Sequence, residues 1–206
     1  MAAAVRQRPN ILISGTPGTG KTTTAELLAS ATGFRHINVG ELVKQEELHS
    51  GWDDEYECYV LDVDKVRAGE LGCPPRAHPP PHRLTTAAAR LPPRAQVVDA
   101  LEDALAAGGC IVDYHGCDFF PERWFDLVLV LQADTSVLWE RLERRGYAAK
   151  KVQENVQCEI MHVIVEEARE AYAEEIVHAV ASNTAEEMER NVDNAHKWAA
   201  AWKPAA

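Results

Sequence analysis

Near its start the chain reads Gly15-Thr16-Pro17-Gly18-Thr19-Gly20-Lys21-Thr22, which fits G-x-x-x-x-G-K-[ST]. The apolar run Asn10-Ile11-Leu12-Ile13-Ser14 comes before it and reads as a buried strand. Residues Thr23–Thr32 come after it and read as a helix. Strand, glycine-rich turn and helix in that order form the setting in which the pattern becomes a phosphate-binding loop, or P-loop. Backbone N–H groups of the turn, with the positive end of the helix, make an anion site. Lys21 is placed to reach the β- and γ-phosphates of a nucleoside triphosphate, and Thr22 offers its hydroxyl to Mg2+. Gly18 and Gly20 are expected where a Cβ would intrude on the phosphates.

The rest of the chain supplies the sheet this loop needs. Ile11–Ser14, Cys110–Asp113 and Leu127–Leu131 are short runs rich in Val, Ile and Leu, suited to the middle of a parallel sheet covered on both faces. Arg35–Asn38 and His178–Ala181 are shorter candidate strands. Helical patterns lie between them at Thr23–Thr32, Gly40–His49, Val97–Ala107, Ser136–Arg145, Val152–Ile176 and Ala185–Trp202. The alternation predicts one α/β domain over 1–206, a three-layer sandwich with a central parallel sheet and right-handed crossovers. In such sheets ligands sit beyond the carboxyl ends of the strands.

Composition excludes little and suggests some limits. A net charge of −11 argues against a broad nucleic-acid surface and leaves room for a local one. No run reaches the roughly 18 apolar residues of a membrane span, and Met1–Arg8 is too short and polar for a signal peptide. The five cysteines, Cys58, Cys73, Cys110, Cys117 and Cys158, lack C-x-x-C spacing, so reduced thiols are expected rather than zinc.

One stretch departs from the pattern. Residues 66–96 hold seven of the 11 prolines and five arginines (Arg67, Arg76, Arg83, Arg90, Arg94) against one acid, Glu70. Without periodicity and poor in aromatics, the stretch is expected to be disordered or partly polyproline II.

Several side chains sit where phosphoryl chemistry needs them. Asp113 closes an apolar strand, as a Walker-B acid does, and could hold Mg2+ through water. Asp134 competes for that role, but Asp134-Thr135-Ser136 leads into a helix, so capping accounts for it. His115, two residues past Asp113 and before Gly116, belongs at the mouth, either orienting a water or acceptor or bonding the loop backbone. Arg141, Arg144 and Arg145 share a broad helix face, and Arg145 sits just before Gly146, where a short lid could begin. Lys150 and Lys151 follow and could also attend phosphates. Glu41, Glu46, Glu47, Asp53, Asp54, Glu55 and Glu57 make an acidic segment between the P-loop helix and Asp113, where small-substrate kinases build an acceptor lobe.

Longer blocks carry a resemblance. These include Ile37-Asn38-Val39-Gly40-Glu41-Leu42, Trp52-Asp53-Asp54-Glu55-Tyr56, Arg145-Gly146-Tyr147, Asn155-Val156-Gln157-Cys158-Glu159 and Tyr172–His178. The most specific is Asp113-Tyr114-His115-Gly116-Cys117-Asp118-Phe119-Phe120-Pro121-Glu122-Arg123-Trp124. With the P-loop, they make the chain resemble the family of adenylate kinase isoenzyme 6, the coilin-interacting nuclear ATPases. The likeness spans nearly everything but Met1–Arg8 and 66–96.

The resemblance implies a nucleoside-monophosphate kinase of P-loop type with ATPase activity, ATP and Mg2+ as cofactors, and AMP or a related monophosphate as acceptor. It implies a role in small ribosomal subunit (18S rRNA) maturation, a small-subunit ribosomal protein and the pre-ribosome as partners, and a location in nucleus and cytoplasm. A monomer is expected. By motif match, Gly18, Gly20, Lys21, Thr22 and Thr23 would bind ATP phosphates and Arg145 would be the lid arginine. Asp113 and His115 would form the pair tied to turnover, with Thr22 and Asp113 on the metal. Residues 38–61 would be the acceptor lobe and 144–154 the short lid.

Two other readings compete: an ATP-driven ribosome assembly factor with little metabolic kinase role, and another P-loop small-molecule kinase, against which the Asp113–Cys117 block speaks. The stretch 66–96 is outside the family pattern, since joining Lys65 to Val97 restores it. It begins with Val, whose codons start GT, and ends with Gln, which CAG encodes, so a retained in-frame intron is favoured over a Pro/Arg-rich arm.

Overall fold

The computed structural model of the chain describes residues 6–45, 51–53, 58–60, 101–118 and 120–204. The stretch 66–96 lies outside them, as do parts of 38–61, among them Glu46, Glu47, Asp54, Glu55 and Glu57.

Five strands carry the molecule: β1 (Ile11–Gly15), β2 (Arg35–Asn38), β5 (Cys110–Asp113), β6 (Leu127–Gln132) and β7 (Val177–Ala181). They form one all-parallel sheet in the order β2-β5-β1-β6-β7. Burial follows that order. Every residue of β1 and β5 is buried, whereas the edge strands β2 and β7 are partly exposed. This is why continuous apolar runs marked the centre of the sheet. A separate antiparallel pair, β3 (Gly51–Asp53) and β4 (Cys58–Val60), lies within the acidic segment.

Helices follow the strands: α1 (Lys21–Thr32), α2 (Val39–Gln45), α3 (described over 101–107), α4 (Thr135–Arg144), α5 (Ala149–Ile160), α6 (Val163–Ala171) and α7 (Ala185–Ala201). The period-two alternation of strand side chains divides the core into two layers. Ile11, Ile13, Ile111, Leu129 and Leu131 face Ala25 and Leu28 of α1 and Val192 and Ala195 of α7. Leu12, Val112, Val128 and Val130 face Leu101 and Leu105 of α3 and Val165 and Ala168 of α6. The three-layer sandwich is therefore the observed architecture.

A smaller cluster of Leu138, Leu142, Val152 and Val156 joins α4 to α5 beyond the carboxyl ends of the strands. Leu138 and Leu142 are fully buried there, and truncating either to Ala would cost ~2–5 kcal/mol.

Much of the Asp113–Trp124 block is packing. Phe120 meets Tyr114 edge-on with ring centroids 6.1 Å apart and Phe125 at 5.6 Å. The start of β1 is tied down by Asn10, fully buried, whose amide donates to Leu105 O and Trp124 O and accepts from Cys110 N.

One expected helix is not continuous. Val152–Ile176 is divided into α5, α6 and a 3-10 turn, Glu174–Ile176. The break falls at His162, whose φ of 53° is left-handed. Neither Gly nor Pro marks it. Histidine is among the residues that tolerate this region best, and its ring lies 2.7 Å from the Gln132 amide at the end of β6.

Candidate functional site

The P-loop connects β1 to α1 directly over the centre of the sheet. Gly18 (φ 97°) and Gly20 (φ 95°) both adopt left-handed backbone that side chains resist. Packing adds a second spatial reason for them. A Cβ on Gly18 would stand 2.9 Å from Leu138 Cδ1, and one on Gly20 would stand 3.2 Å from Met188 Cε. Those atoms belong to α4 and α7, so the glycines allow the loop to be packed from outside. The first turn of α1 has no side-chain cap hydrogen bond, which leaves its N–H groups available to an anion.

Hydrogen bonds inside the loop centre on Thr16. Its carbonyl accepts from Thr19 N (3.2 Å), Thr19 Oγ1 (2.9 Å) and Lys21 Nζ (3.0 Å). Lys21 Nζ also donates to Gly15 O at 2.7 Å. Burial lowers the Lys21 pKa to about 8, Arg145 pushes the same way, and Asp113 and Glu159 oppose. Asp113, Arg145 and Glu159 are thus the charges the lysine feels. Arg145 is exposed at the C-terminal end of α4. The segment 144–154 comprises the last residue of α4, a short link and the first half of α5.

Asp113 is 3% exposed at the end of β5, in register with Ile13 of β1 and Asn38 of β2. Its Oδ2 lies 3.3 Å from His36 Nε2, but neither atom has a hydrogen bond. Thr22 and Thr23 are exposed on the first turn of α1, and Asn38 Nδ2 approaches Thr22 Oγ1 at 3.5 Å. A threonine hydroxyl and a buried carboxylate oxygen that accepts no hydrogen bond are hard donors that fit Mg2+. Thr22 and Asp113 would hold it.

His115 stands at the mouth. The residue as a whole is exposed, yet protein crowds the ring, with the Tyr114 ring tilted at 46° to it and 4.2 Å away between centroids. Desolvation and then the Lys21 charge lower its pKa to about 4, so the imidazole is neutral at pH 7.

Other candidates have partners of their own. Asp134 takes the N-cap position of α4, but its side chain makes no cap hydrogen bond there. Lys150 pairs with Glu154 at 4.0 Å, and Lys151 lies 4.3 Å over the Tyr147 ring, both on the start of α5. Arg141 is engaged with backbone carbonyls. It donates to Gly18 O (3.4 Å), Ser182 O (2.8 Å) and Asn183 O (2.7 Å), fastening the P-loop to the turn after β7.

Two residues not singled out from sequence complete the site. Ser182, fully buried, donates to Thr19 O at 2.7 Å. Glu159, 8% exposed at the end of α5, accepts from Thr16 Oγ1 and from Ala133 N, the latter at 2.8 Å. The available signals were the Asn155–Glu159 block and a buried-type spacing on α5.

A parallel sheet in this order, a lysine-bearing P-loop over its centre and a buried acid on the neighbouring strand define a P-loop kinase fold. Solved structures agree on the fold. The shikimate kinase of Acinetobacter baumannii in complex with shikimate matches at TM-score 0.57 and 12% identity, covering 94% of each chain. The shikimate kinase of Bacteroides thetaiotaomicron matches at TM-score 0.54 and 12% identity, over 92% of this chain and 97% of that one. Residues 11–162 match the family described as "AAA domain".

Similarity in sequence is more specific. The Dictyostelium discoideum "Adenylate kinase isoenzyme 6 homolog" is 43% identical, covering 96% of this chain and 95% of its own. The Schizosaccharomyces pombe protein of that name is 42% identical over 96% and 95%. The Saccharomyces cerevisiae "Adenylate kinase isoenzyme 6 homolog FAP7" is 34% identical over 97% and 86%. The chain belongs to the adenylate kinase isoenzyme 6 family, a nucleotide kinase and ATPase family.

Proposed function

We propose that this protein transfers the γ-phosphoryl group of ATP to AMP or a related nucleoside monophosphate, and to water when no acceptor is bound. The observation that carries this reading is the Lys21 ammonium held on Gly15 O and Thr16 O and electrostatically coupled to the Walker-B acid Asp113. Lys21 and the loop N–H groups bind the phosphates, and Arg145 adds positive charge at the lid. Thr22 and Asp113 would hold Mg2+, which would supply positive charge to offset that of the phosphates. In transfer, the bond from the γ-phosphorus to the β–γ bridging oxygen breaks and a bond to an acceptor oxygen forms. With AMP the products are two ADP. With water they are ADP, phosphate and a proton. A neutral His115 can accept a hydrogen bond from that water and orient it.

The test is ATP turnover by the purified protein, with and without equal concentrations of AMP, CMP and GMP. AMP should accelerate ADP release and be consumed in step with it. Turnover that ignores every monophosphate would leave an ATPase only. Total lack of turnover would overturn the reading.

The family resemblance also supports a role in small ribosomal subunit maturation, with a small-subunit ribosomal protein as partner and residence in nucleus and cytoplasm. That role predicts co-sedimentation with small-subunit precursors and accumulation of unprocessed 18S rRNA on depletion. Normal processing in depleted cells would reject it.

A further inference from the structure

The carboxylate of Glu159 ends α5, the helix that follows the lid link, yet it is buried against the P-loop 143 residues earlier in the chain. Both of its oxygens are used. Oε2 accepts from the Thr16 hydroxyl, and Oε1 accepts from the Ala133 N–H at the end of β6. Thr16 in turn carries, on its carbonyl, the Lys21 ammonium and both hydrogen-bonding groups of Thr19. A buried charge is retained at a cost unless its hydrogen bonds are satisfied, and here they are satisfied at the loop that must grip phosphates.

We infer that Glu159 is a positioning residue for the phosphate site. It fixes the Thr16 peptide, and through it the Lys21 ammonium, in the conformation that receives a triphosphate, and it ties that loop to the lid-bearing helix. The inference rests on the reading of the P-loop as the ATP site proposed above. It concerns this bond network, and the Ala133 contact alone would make Glu159 a packing residue of β6 instead.

The experiment separates these. ATP affinity by calorimetry, ATP turnover and thermal unfolding are measured on Thr16→Val, Glu159→Ala, their combination and Glu159→Gln. Thr16→Val removes the hydroxyl at nearly constant volume. Each single change should weaken ATP affinity by about tenfold, the scale of a hydrogen bond to a charged group. The double variant should lose no more than the worse single one, because both remove one interaction. Glu159→Gln can accept from Ala133 N–H and donate to Thr16 Oγ1, so it should recover affinity to within about threefold of wild type.

A folded Glu159→Ala protein with wild-type ATP affinity overturns the inference, as does a double variant whose loss is the product of the two. If Glu159→Ala does not fold, Thr16→Val decides alone, and wild-type affinity in it overturns the inference equally. Should wild type bind ATP but not turn it over, the proposed activity fails while the affinity series still tests Glu159.

Discussion

Removing Lys21 should make the protein more stable and nearly inactive. The ammonium is held by two carbonyls, Gly15 O at 2.7 Å and Thr16 O at 3.0 Å, but burial brings its pKa from 10.5 to about 8. The unfolded chain therefore binds the extra proton between those values, so stability rises with pH from about 8 to 10.5. Below that window the fold carries the whole penalty of a desolvated ammonium, ~3 kcal/mol. Lys21→Ala removes the penalty and gives back part of it in lost packing of the side-chain stem, ~1 kcal/mol. The net gain at pH 7 is ~1–2 kcal/mol, or a Tm increase of roughly 2–8 °C for a chain of this size, and by pH 10.5, where little of the penalty is left, the lost packing should make the variant the less stable protein. Activity moves the other way. The lysine acts on charge that develops in transfer, and losing one such contact costs ~3–4 kcal/mol, two to three decades in turnover. Calorimetric unfolding at pH 7 and 10.5, with ADP release followed in parallel, reads both. A lower Tm at pH 7 would refute the electrostatic reasoning, and wild-type turnover would refute the assignment of the loop.

Three further outcomes are expected. His115→Gly should reduce hydrolysis by ~10²-fold or more, the scale of a positioned acid–base group, while ATP affinity by calorimetry stays within about threefold; collapse of affinity would make His115 a binding residue. Asn10→Ala removes one hydrogen bond each from Leu105 O, Trp124 O and Cys110 N, the first two keeping Gly108 N and Arg6 as donors, and should cost ~3 kcal/mol, seen as a Tm loss of roughly 6–12 °C; a loss under 2 °C would contradict the accounting. Glu167, whose pKa burial raises to about 7 with Asp118 and Glu170 adding to it, favours its protonated form in the fold, so its contribution is present below pH 4.5 and lost as pH rises through 7. Glu167→Gln should therefore stabilise the protein at pH 8 by ~1 kcal/mol after solvent screening and leave it unchanged at pH 4, and equal melting curves at both pH values would reject this.

What could be read from sequence divides along the range of the interactions involved. The five sheet strands were legible because central parallel strands are buried on both faces and so appear as uninterrupted runs such as Cys110-Ile111-Val112. The P-loop was legible because its chemistry is contained in eight consecutive residues. The division of Val152–Ile176 was not, since His162 bends the chain without the usual Gly or Pro punctuation. The β3–β4 pair was also hidden, with three residues to a strand in an acidic segment that shows no alternation. Arg141 reads as one of three arginines on a helix face, and Glu159 as an ordinary polar position on an amphipathic helix, with nothing to mark either as a partner of the loop. Their partners on the P-loop are 123 and 143 residues away, and no local pattern encodes such a distance. The glycines were expected at their positions, but their packing against atoms of α4 and α7, more than a hundred residues away, was not legible.

Those distant contacts change what the motif means physically. A glycine-rich loop is entropically expensive to hold in one conformation, and catalysis by preorganised donors requires that it be held before the phosphates arrive. In this protein three side chains from beyond residue 140 grip its backbone or hydroxyl: Arg141 on Gly18 O, Ser182 on Thr19 O and Glu159 on Thr16 Oγ1. Each comes from a different element: α4, the turn after β7, and α5. The eight-residue motif thus supplies the groups that touch phosphate, and the C-terminal half supplies the rigidity that makes them effective. Because α4 and α5 flank the link at 145–148, that link is connected at both ends to elements that bond the loop, through Arg141 and Glu159. Substitutions at those two positions should therefore alter phosphate binding even though neither belongs to the motif.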